Sequence, residues 1–142
     1  QRQSGIRARY RSTAPQESRE VTQRSREWRL NDWHNRKTYF QIEMDGRLIG
    51  NAGNHVDNEV GFILHPDHWR KGIITEAMGT IIPFLWANTD HTELTADADP
   101  LNTASVGLLT SLGFTETHRA KDTFCINGVW SDSVYLALPR PA

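Results

Sequence analysis

Residues 59–77, EVGFILHPDHWRKGIITEA, form the stretch of the sequence that decides the predicted fold. Its apolar run at residues 60–64 is typical of a buried strand. A Pro-Asp turn follows, and the basic turn WRKG at residues 69–72 leads directly into a predicted helix. A strand, a tight turn and a helix N-terminus in this order present free backbone N–H groups to an anion, and the two basic side chains add positive charge. The sequence therefore predicts a site for a phosphate or pyrophosphate.

The glycine spacing excludes the two best-known phosphate-binding loops. The nucleoside-triphosphate loop needs two glycines five apart followed by Lys-Ser/Thr, and the dinucleotide fingerprint needs three glycines, whereas Gly72 stands alone in this turn. The turn instead resembles the acyl-CoA loop of the GNAT N-acetyltransferases, Gln/Arg-x-x-Gly-x-Gly/Ala after the fourth strand. It is most similar to the branch that acetylates ribosomal-protein N-termini, where Pro-(Asp/Glu)-x-x-Trp often precedes the loop and Thr-Glu-Ala follows it. Ile74 stands where that pattern has a small residue, and it is expected to crowd the pyrophosphate.

A second motif lies about thirty residues further along the chain. The run NTAS at residues 102–105, followed by LGF at residues 112–114, resembles the family's Asn-x-x-Ser…Gly-Phe. The resemblance covers roughly residues 38–138. It implies the GNAT fold, an α/β (α+β) domain with a mixed, mostly antiparallel central sheet flanked by helices. The first strand and first helix of that fold have no counterpart in this reading, so they are expected to be missing.

Local patterns predict the order helix, β-hairpin, strand, helix, strand, helix, β-hairpin. The predicted helices lie at residues 15–34, 72–88 and 102–113, and the strands at 38–44, 47–55, 59–64, 93–98, 114–117, 123–126 and 129–138. Pro83 is expected to kink or break the second helix, and Asn102 is expected to cap the third. Two dipeptides, Asp45-Gly46 and Asn127-Gly128, are strong hairpin turn signals. Gly50 and Gly53 indicate a bulge or a close backbone approach.

Charge is unevenly distributed, although the net charge is only −1. Residues 1–37 hold ten Lys/Arg against four Asp/Glu, and the remaining residues hold six against thirteen. Residues 1–14 are therefore interpreted as a basic irregular leader and residues 15–142 as a single domain. A basic arm is either solvated or docked on the acidic body, or it contacts nucleic acid or a ribosome. The lack of a recognisable nucleic-acid module favours the first interpretation.

Composition excludes several other classes of protein. No apolar run approaches membrane-spanning length, and no signal-peptide pattern is visible. A single cysteine, Cys125, allows neither an internal disulfide nor a cysteine-based zinc site, so a reducing cytoplasm is the expected location. His65 and His68 have the spacing of metal ligands but lack a third, so no metal is predicted.

The resemblance implies acetyl-CoA as cosubstrate. Phe62, Ile63 and Leu64 of the fourth strand would pair with the pantetheine arm, and a backbone N–H would polarise the thioester carbonyl; the alternative is that these three residues form only a core strand. The residues implied in holding the cofactor around the loop are Arg70, Lys71, Gly72, Ile73, Ile74 and Thr75. Asn102 is expected to cap its helix and to reach the pantetheine as well.

Two side chains are the candidate catalysts. Glu59, where the fourth strand begins, is the predicted general base, with His55 on the preceding strand as second candidate. The alternatives are a solvated strand-end glutamate and an ordinary surface or core histidine. The family branch places a serine beside the CoA sulfur, and Ser105 matches it. Its hydroxyl would offer a proton to the leaving thiolate; the alternative is a role in the cap of Asn102.

The acceptor decides how much base the reaction needs. An N-terminal amine with a pKa near 8 costs roughly 1–1.5 kcal/mol to be neutral at pH 7, whereas a lysine near 10.4 costs about 4.6 kcal/mol. An α-amine therefore needs little more than a water relay, while a lysine or polyamine needs a dedicated carboxylate.

The sequence thus predicts an N-acetyltransferase that moves acetyl from acetyl-CoA to a primary amine by direct attack. The acceptor is left open among a peptide N-terminus, an amino acid, a polyamine and an amine antibiotic. One alternative is an impaired GNAT-like domain that binds CoA or a partner protein without turnover. The other is a nucleic-acid or ribosome binder that uses the basic arm. A homodimer that covers the incomplete edge of the sheet is compatible with all of these.

Overall fold

The computed structural model describes residues 28–33 and 36–142, with side chains from residue 38 onward. In this part of the chain, seven strands form one sheet in the order β1-β2-β3-β4-β5-β7-β6. The elements are β1 (Trp28–Trp33), β2 (Arg36–Met44), β3 (Arg47–Val56), β4 (Glu59–Leu64), a 3₁₀ turn (Pro66–His68), α1 (Ile73–Asn88), β5 (Glu93–Ala98), α2 (Thr103–Ser111), β6 (Thr115–Ile126) and β7 (Val129–Pro139). The pair β4–β5 is parallel and the other neighbouring pairs are antiparallel. The predicted fold class is confirmed.

The first strand is a correction to the sequence prediction. Residues 28–33, assigned to the end of a helix over 15–34, instead form β1 and pair with β2 from Trp28↔Met44 to Trp33↔Arg36. The apolar stripe of the predicted helix was thin, and pairing with β2 satisfies the backbone N–H and C=O groups that an edge segment would otherwise expose. β1 stands ahead of the β2–β3 hairpin, where no strand was expected. The predicted leader and the rest of the predicted helix lie outside the described residues.

Helix α1 covers one face of the sheet. Its buried side chains recur at helical spacing and include Ala77, Met78 and Ile81, all of which are fully buried. The ring of Phe84 meets that of Phe40 on β2 edge to face, with centroids 5.6 Å apart. The helix continues through Pro83, so the predicted break does not occur.

Glycines and turns shape the strands around the site. A Cβ on Gly50 would collide with the Ile63 carbonyl oxygen, and one on Gly53 with the Thr38 carbonyl oxygen, which confirms the predicted close approach. Both predicted hairpin turns have two consecutive residues with positive φ, as a type I′ turn requires.

Strand β6 is one bulged strand rather than the two predicted. Its register with β7 shifts between Ala120 and Phe124. The Asp122 N–H donates to Asp132 Oδ1 at 2.9 Å, and the hydroxyls of Thr123 and Ser133 lie 2.6 Å apart. These bonds hold the extra residues, so the strand bends without ending.

Candidate active site

The parallel strands β4 and β5 separate soon after they meet. Their pairing consists of Glu59↔Thr95, and the Thr95 N–H donates to the Asn58 carbonyl at 2.9 Å. The side-chain amide of Asn58 also donates to the Glu93 carbonyl, at 3.1 Å. Beyond this point residues 61–64 of β4 have no strand partner on the β5 side within residues 28–33 and 36–142. The two strands therefore form a fork that opens away from Glu59.

The backbone groups on the open edge of β4 can be assigned from the ladder with β3. The N–H of His65 donates to the Ile49 carbonyl at 2.8 Å. Hydrogen-bonded pairs alternate along an antiparallel ladder, so Ile63 also pairs with β3, whereas Phe62 and Leu64 turn their N–H and C=O groups toward the fork. The indole N–H of Trp69 donates a hydrogen bond to the Leu64 carbonyl at 2.7 Å. Phe62 thus presents a donor and an acceptor to whatever enters the fork.

Two adjoining cavities form a groove between β4 and α2. The fork cavity, of about 330 Å³, lies between β4, β5 and α2, and the loop cavity, of about 380 Å³, lies against the turn before α1. Both are lined by Phe62, Asn102 and Ser105, which joins them into one groove. Most of the predicted site residues border it: Glu59, Phe62 and Ile63 at the fork, and Leu64, Arg70, Gly72, Ile73, Ile74 and Thr75 at the loop.

The loop cavity contains the free N-terminus of α1. Gly72 is the N-cap residue in the left-handed conformation, with φ 76°, and no side chain of the described residues caps the helix. The first intrahelical bond runs from the Glu76 N–H to the Gly72 carbonyl at 3.0 Å. The N–H groups of residues 73–75 therefore lack intrahelical partners. They form the cradle of donors that the sequence predicted at this position.

Arg70 has an unusual backbone conformation. Five non-glycine residues in the described part of the chain have positive φ, and four of them are Asp or Asn. Arg70 is the exception, with φ 64°. Asp and Asn tolerate this region because their short side chains bond locally, whereas other side chains are strained there. Strain of this kind is often retained at functional sites.

The charges around the loop are cationic. Arg70 borders the loop cavity, whereas Lys71 is exposed and is not among its lining residues. His68 lines it too, and burial, helped by the nearby charges of Lys71, His65 and Arg47, holds the pKa of His68 below its usual value, although Asp67 opposes the shift. The Nδ1 atom of His68 is buried and has no hydrogen-bond partner among the residues whose side chains the structure describes. The neutral form of His68 is therefore favoured.

Ile74 belongs mainly to the core. It is only 5% exposed, yet it also borders the loop cavity. The loop cavity has a volume of about 380 Å³ with the Ile74 side chain in its wall. The crowding expected from this residue therefore leaves an open loop cavity.

Glu59 and His55 meet at the fork cavity. His55 Nε2 lies 3.9 Å from Glu59 Oε1, and its ring lies close over Gly61 of β4. A register shift between Asn54 and Val56 turns this part of β3. Both predicted base candidates thus lie together at the closed end of the fork.

Asn54 fixes the start of β4, and the sequence analysis did not single it out. It is 6% exposed, and its amide nitrogen donates to the carbonyls of Asp57 and Glu59, each at 2.9 Å. Its Oδ1 lies 3.0 Å from Nε2 of His91 in the loop before β5. Asn54 therefore connects both arms of the fork at its base. No local signal distinguishes this asparagine from the others in the chain.

The two ends of the groove differ in charge. The fork cavity is bordered by the carboxylates of Glu59, Asp97 and Asp99, whereas the loop cavity is bordered by the guanidinium of Arg70. Along β5 the exposed Asp97 alternates with the buried Ala96 and Ala98. An amine cation is favoured at the first end and a phosphate at the second.

Helix α2 supplies the remaining predicted residues. Asn102 Oδ1 accepts from the Ser105 N–H at 3.1 Å, so the predicted cap is confirmed. Ser105 is 6% exposed and lines both cavities. The cap uses the backbone N–H of Ser105 and leaves its side-chain hydroxyl out of this bond.

Residues 28–33 and 36–142 contain no group of three or more His, Cys, Asp or Glu side chains placed to hold a metal ion. The rings of His65 and His68 lie edge to face, 6.2 Å apart. Over the same residues, no helix is long and apolar enough to cross a membrane.

The fork, the donor cradle and the helix cap agree with one known family. A family model described as an acetyltransferase (GNAT) domain matches residues 3–115. The chain belongs to the GNAT acetyltransferase family. The matched region of this GNAT domain includes β4, the basic turn, α1 and the cap of α2, so the resemblance predicted from the two motifs is confirmed.

Curated relatives point to acetyltransferases of bacteria. Probable N-acetyltransferase YjcK of Bacillus subtilis is 32% identical over 104 residues, which are 68% of this chain and 58% of that protein. The [ribosomal protein uS5]-alanine N-acetyltransferase of Escherichia coli is 35% identical over 123 residues, 79% of this chain and 63% of that protein. The chain thus spans about three fifths of the length of each.

A solved structure shares the fold of this GNAT domain. The putative acetyltransferase yncA of Salmonella typhimurium, solved with its cofactor acetyl-CoA, is 24% identical with a TM-score of 0.63, covering 72% of this chain and 64% of that chain. At this identity the similarity supports the fold alone.

Proposed function

We propose that this chain is an acetyl-CoA-dependent N-acetyltransferase that acetylates the α-amine of a polypeptide. The observation that carries the proposal is the single groove in which an open strand edge, a cradle of free N–H groups and an acidic fork follow one another. Each part suits one portion of the reactants: the pantetheine arm, the diphosphate and the amine. Family membership supports acetyl-CoA as the cosubstrate.

The loop cavity would hold the diphosphate. The N–H groups of residues 73–75 at the positive end of α1 would donate to phosphate oxygens, with the Arg70 guanidinium nearby and Lys71 adding charge from the exposed side of the turn. Asn102, at the junction of the two cavities, would contact the pantetheine. Along the open edge of β4, the main chain of Phe62 would pair with the pantetheine amides, flanked by Ile63 and Leu64.

The reaction at the fork is direct transfer. The neutral amine nitrogen attacks the thioester carbonyl carbon, a C–N bond forms, and a backbone N–H of the β4 edge stabilises the charge that develops on the carbonyl oxygen. Glu59 takes the proton that the amine loses, directly or through one water. The C–S bond then breaks, and the CoA thiolate leaves with a proton relayed through the Ser105 hydroxyl. The products are an amide and free CoA.

Two observations favour a polypeptide acceptor over a polyamine or an amino sugar. The β6–β7 hairpin carries three exposed apolar residues on one face, Phe124, Ile126 and Val129, which are 39%, 50% and 67% exposed. Phe124 also lines the fork cavity. Beyond the carboxylates of the amine end, this apolar surface suits a peptide side chain, whereas the further amino groups of a polycation would need acidic residues there as well. The E. coli relative is named for a ribosomal-protein alanine.

The test is release of CoA thiol from acetyl-CoA in the presence of an amine panel. We expect turnover with short peptides that begin with a small residue, and at least tenfold less with spermidine or an aminoglycoside. Glu59→Gln should lower kcat by roughly 10²-fold or more for a lysine-type amine and by less for an α-amine, because general base catalysis contributes about 10²–10⁴-fold. Binding of acetyl-CoA without turnover of any amine would contradict the proposal and favour the non-catalytic alternative.

A further inference from the structure

The loop cavity and the open edge of β4 are tied together by one side chain. Trp69 is the first residue of the basic turn and directly precedes the strained Arg70, and its indole N–H donates to the Leu64 carbonyl at 2.7 Å. That carbonyl lies on the edge of β4 that faces the fork. The bond therefore joins the turn that leads into the donor cradle to the strand that borders the fork.

The bond also limits the open edge. Phe62 and Leu64 are the residues of this edge that turn their backbone groups outward. Because the Leu64 carbonyl is already bonded to the indole, the Phe62 groups and the Leu64 N–H remain for an extended ligand on this edge. Trp69 itself lines the loop cavity and is 39% exposed.

The turn after Trp69 has few other fixed points. The Trp69 N–H donates to the Pro66 carbonyl at 3.1 Å, but Arg70 and Lys71 are exposed. Arg70 and Gly72 both have left-handed backbone conformations, which reverse the chain within three residues. An anchor on each side of such a turn decides where its N–H groups point. α1 provides the anchor after the turn, and the indole provides the one before it.

We propose that Trp69 is a positioning residue that sets the distance between the strand edge and the diphosphate cradle. The inference rests on the proposed function, because it assigns the two ends of one cofactor to these two surfaces. Its consequence is specific: Trp69 matters for a thioester that carries a diphosphate and not for one that ends at the pantetheine.

The test compares acetyl-CoA with acetyl-pantetheine, which lacks the diphosphate and the nucleotide. In Trp69→Phe the ring remains and the N–H is lost. We expect the KM for acetyl-CoA to rise roughly three- to tenfold, the effect of one part-buried hydrogen bond, with kcat within twofold of the wild type. The kcat/KM for acetyl-pantetheine should stay unchanged. Trp130→Phe is the matched control: Trp130 is 58% exposed, lines neither cavity, and should leave both substrates unaffected.

A second measurement tests the bond without activity. The indole N–H resonance of Trp69, identified by its absence from Trp69→Phe, should exchange with solvent much more slowly than that of Trp130. Fast exchange of the Trp69 indole would overturn the inference, as would equal losses with both thioesters or an unchanged KM for acetyl-CoA. If the wild type does not bind acetyl-CoA at all, the proposed function fails instead, and slow exchange would still establish the anchor.

Discussion

Substitutions at Arg70 separate the backbone strain of the cradle from its charge. Arg70 is exposed and has φ 64°. A residue with a side chain costs about 1–2 kcal/mol in the left-handed conformation. Glycine avoids that cost but loses about 0.5–1 kcal/mol through the greater freedom of the unfolded chain. Arg70→Gly should therefore range from unchanged to about 1.5 kcal/mol more stable than the wild type.

Arg70→Ala provides the comparison that isolates the charge. Alanine keeps the backbone strain, and at an exposed position it should change the free energy of unfolding by no more than about 0.5 kcal/mol. Both variants lose the guanidinium, so both should bind acetyl-CoA roughly tenfold more weakly at low salt, near the lower end for hydrogen bonds to charged groups. The difference from the wild type should shrink as salt screens the exposed charge.

Urea unfolding and titration calorimetry with acetyl-CoA measure the two effects on the same samples. We expect Arg70→Gly to be more stable than Arg70→Ala, while both bind acetyl-CoA with the same reduced affinity. A glycine variant less stable than the alanine variant would refute the strain argument. Undiminished acetyl-CoA affinity in both variants would refute the assignment of Arg70 to the diphosphate.

Three further predictions concern the same region. Gly72→Ala and Gly46→Ala place a side chain at φ 76° and 75° in open space. In urea unfolding, each variant should be about 1 kcal/mol less stable than the wild type. A loss of stability at Gly72 alone would contradict the left-handed backbone conformation as the cause of both losses. Asn54→Ala removes the two 2.9 Å bonds at the base of the fork and should destabilise the protein by about 2–3 kcal/mol in the same assay, whereas a loss below about 0.5 kcal/mol would count against its role. The pKa of His68 lies below its unfolded value, so its contribution to stability is present above about pH 6.5 and is lost as the pH falls. The difference in the free energy of unfolding between the wild type and His68→Asn should therefore shrink from pH 7 to pH 5. A difference that stays constant over this range would contradict the prediction.

Features that depend on neighbours in sequence were predictable. The Asn102 cap and both type I′ turns use residues within a few positions of one another, and their chemistry is local. The basic turn before α1 is of the same kind. The segment 28–33 was not predictable in this way, because its sequence fits either a thin helical stripe or an alternating strand. Pairing with β2 decides between them, and that pairing is a long-range contact.

The site was predictable to a similar extent. The cradle and the position of Glu59 follow from one continuous stretch of sequence, whereas the bonds that hold them do not. Asn54 hydrogen-bonds to His91, which lies 37 residues further along the chain. The indole of Trp69 donates to the Leu64 carbonyl, which nothing in the sequence marks as its partner. Polar side chains of this kind carry no pattern that identifies their partner before the fold is known. The acidic border of the fork likewise arises only where β4 and β5 part.

The most direct test of the central claim is an amide NMR titration of the ¹⁵N-labelled protein with CoA. The account predicts that the N–H resonances of Phe62 and of residues 73–75 shift together and saturate with the same dissociation constant, while those of the Asp45-Gly46 turn stay in place. Saturable binding that leaves the amides of residues 73–75 unmoved would contradict the claim that the N-terminus of α1 holds the cofactor.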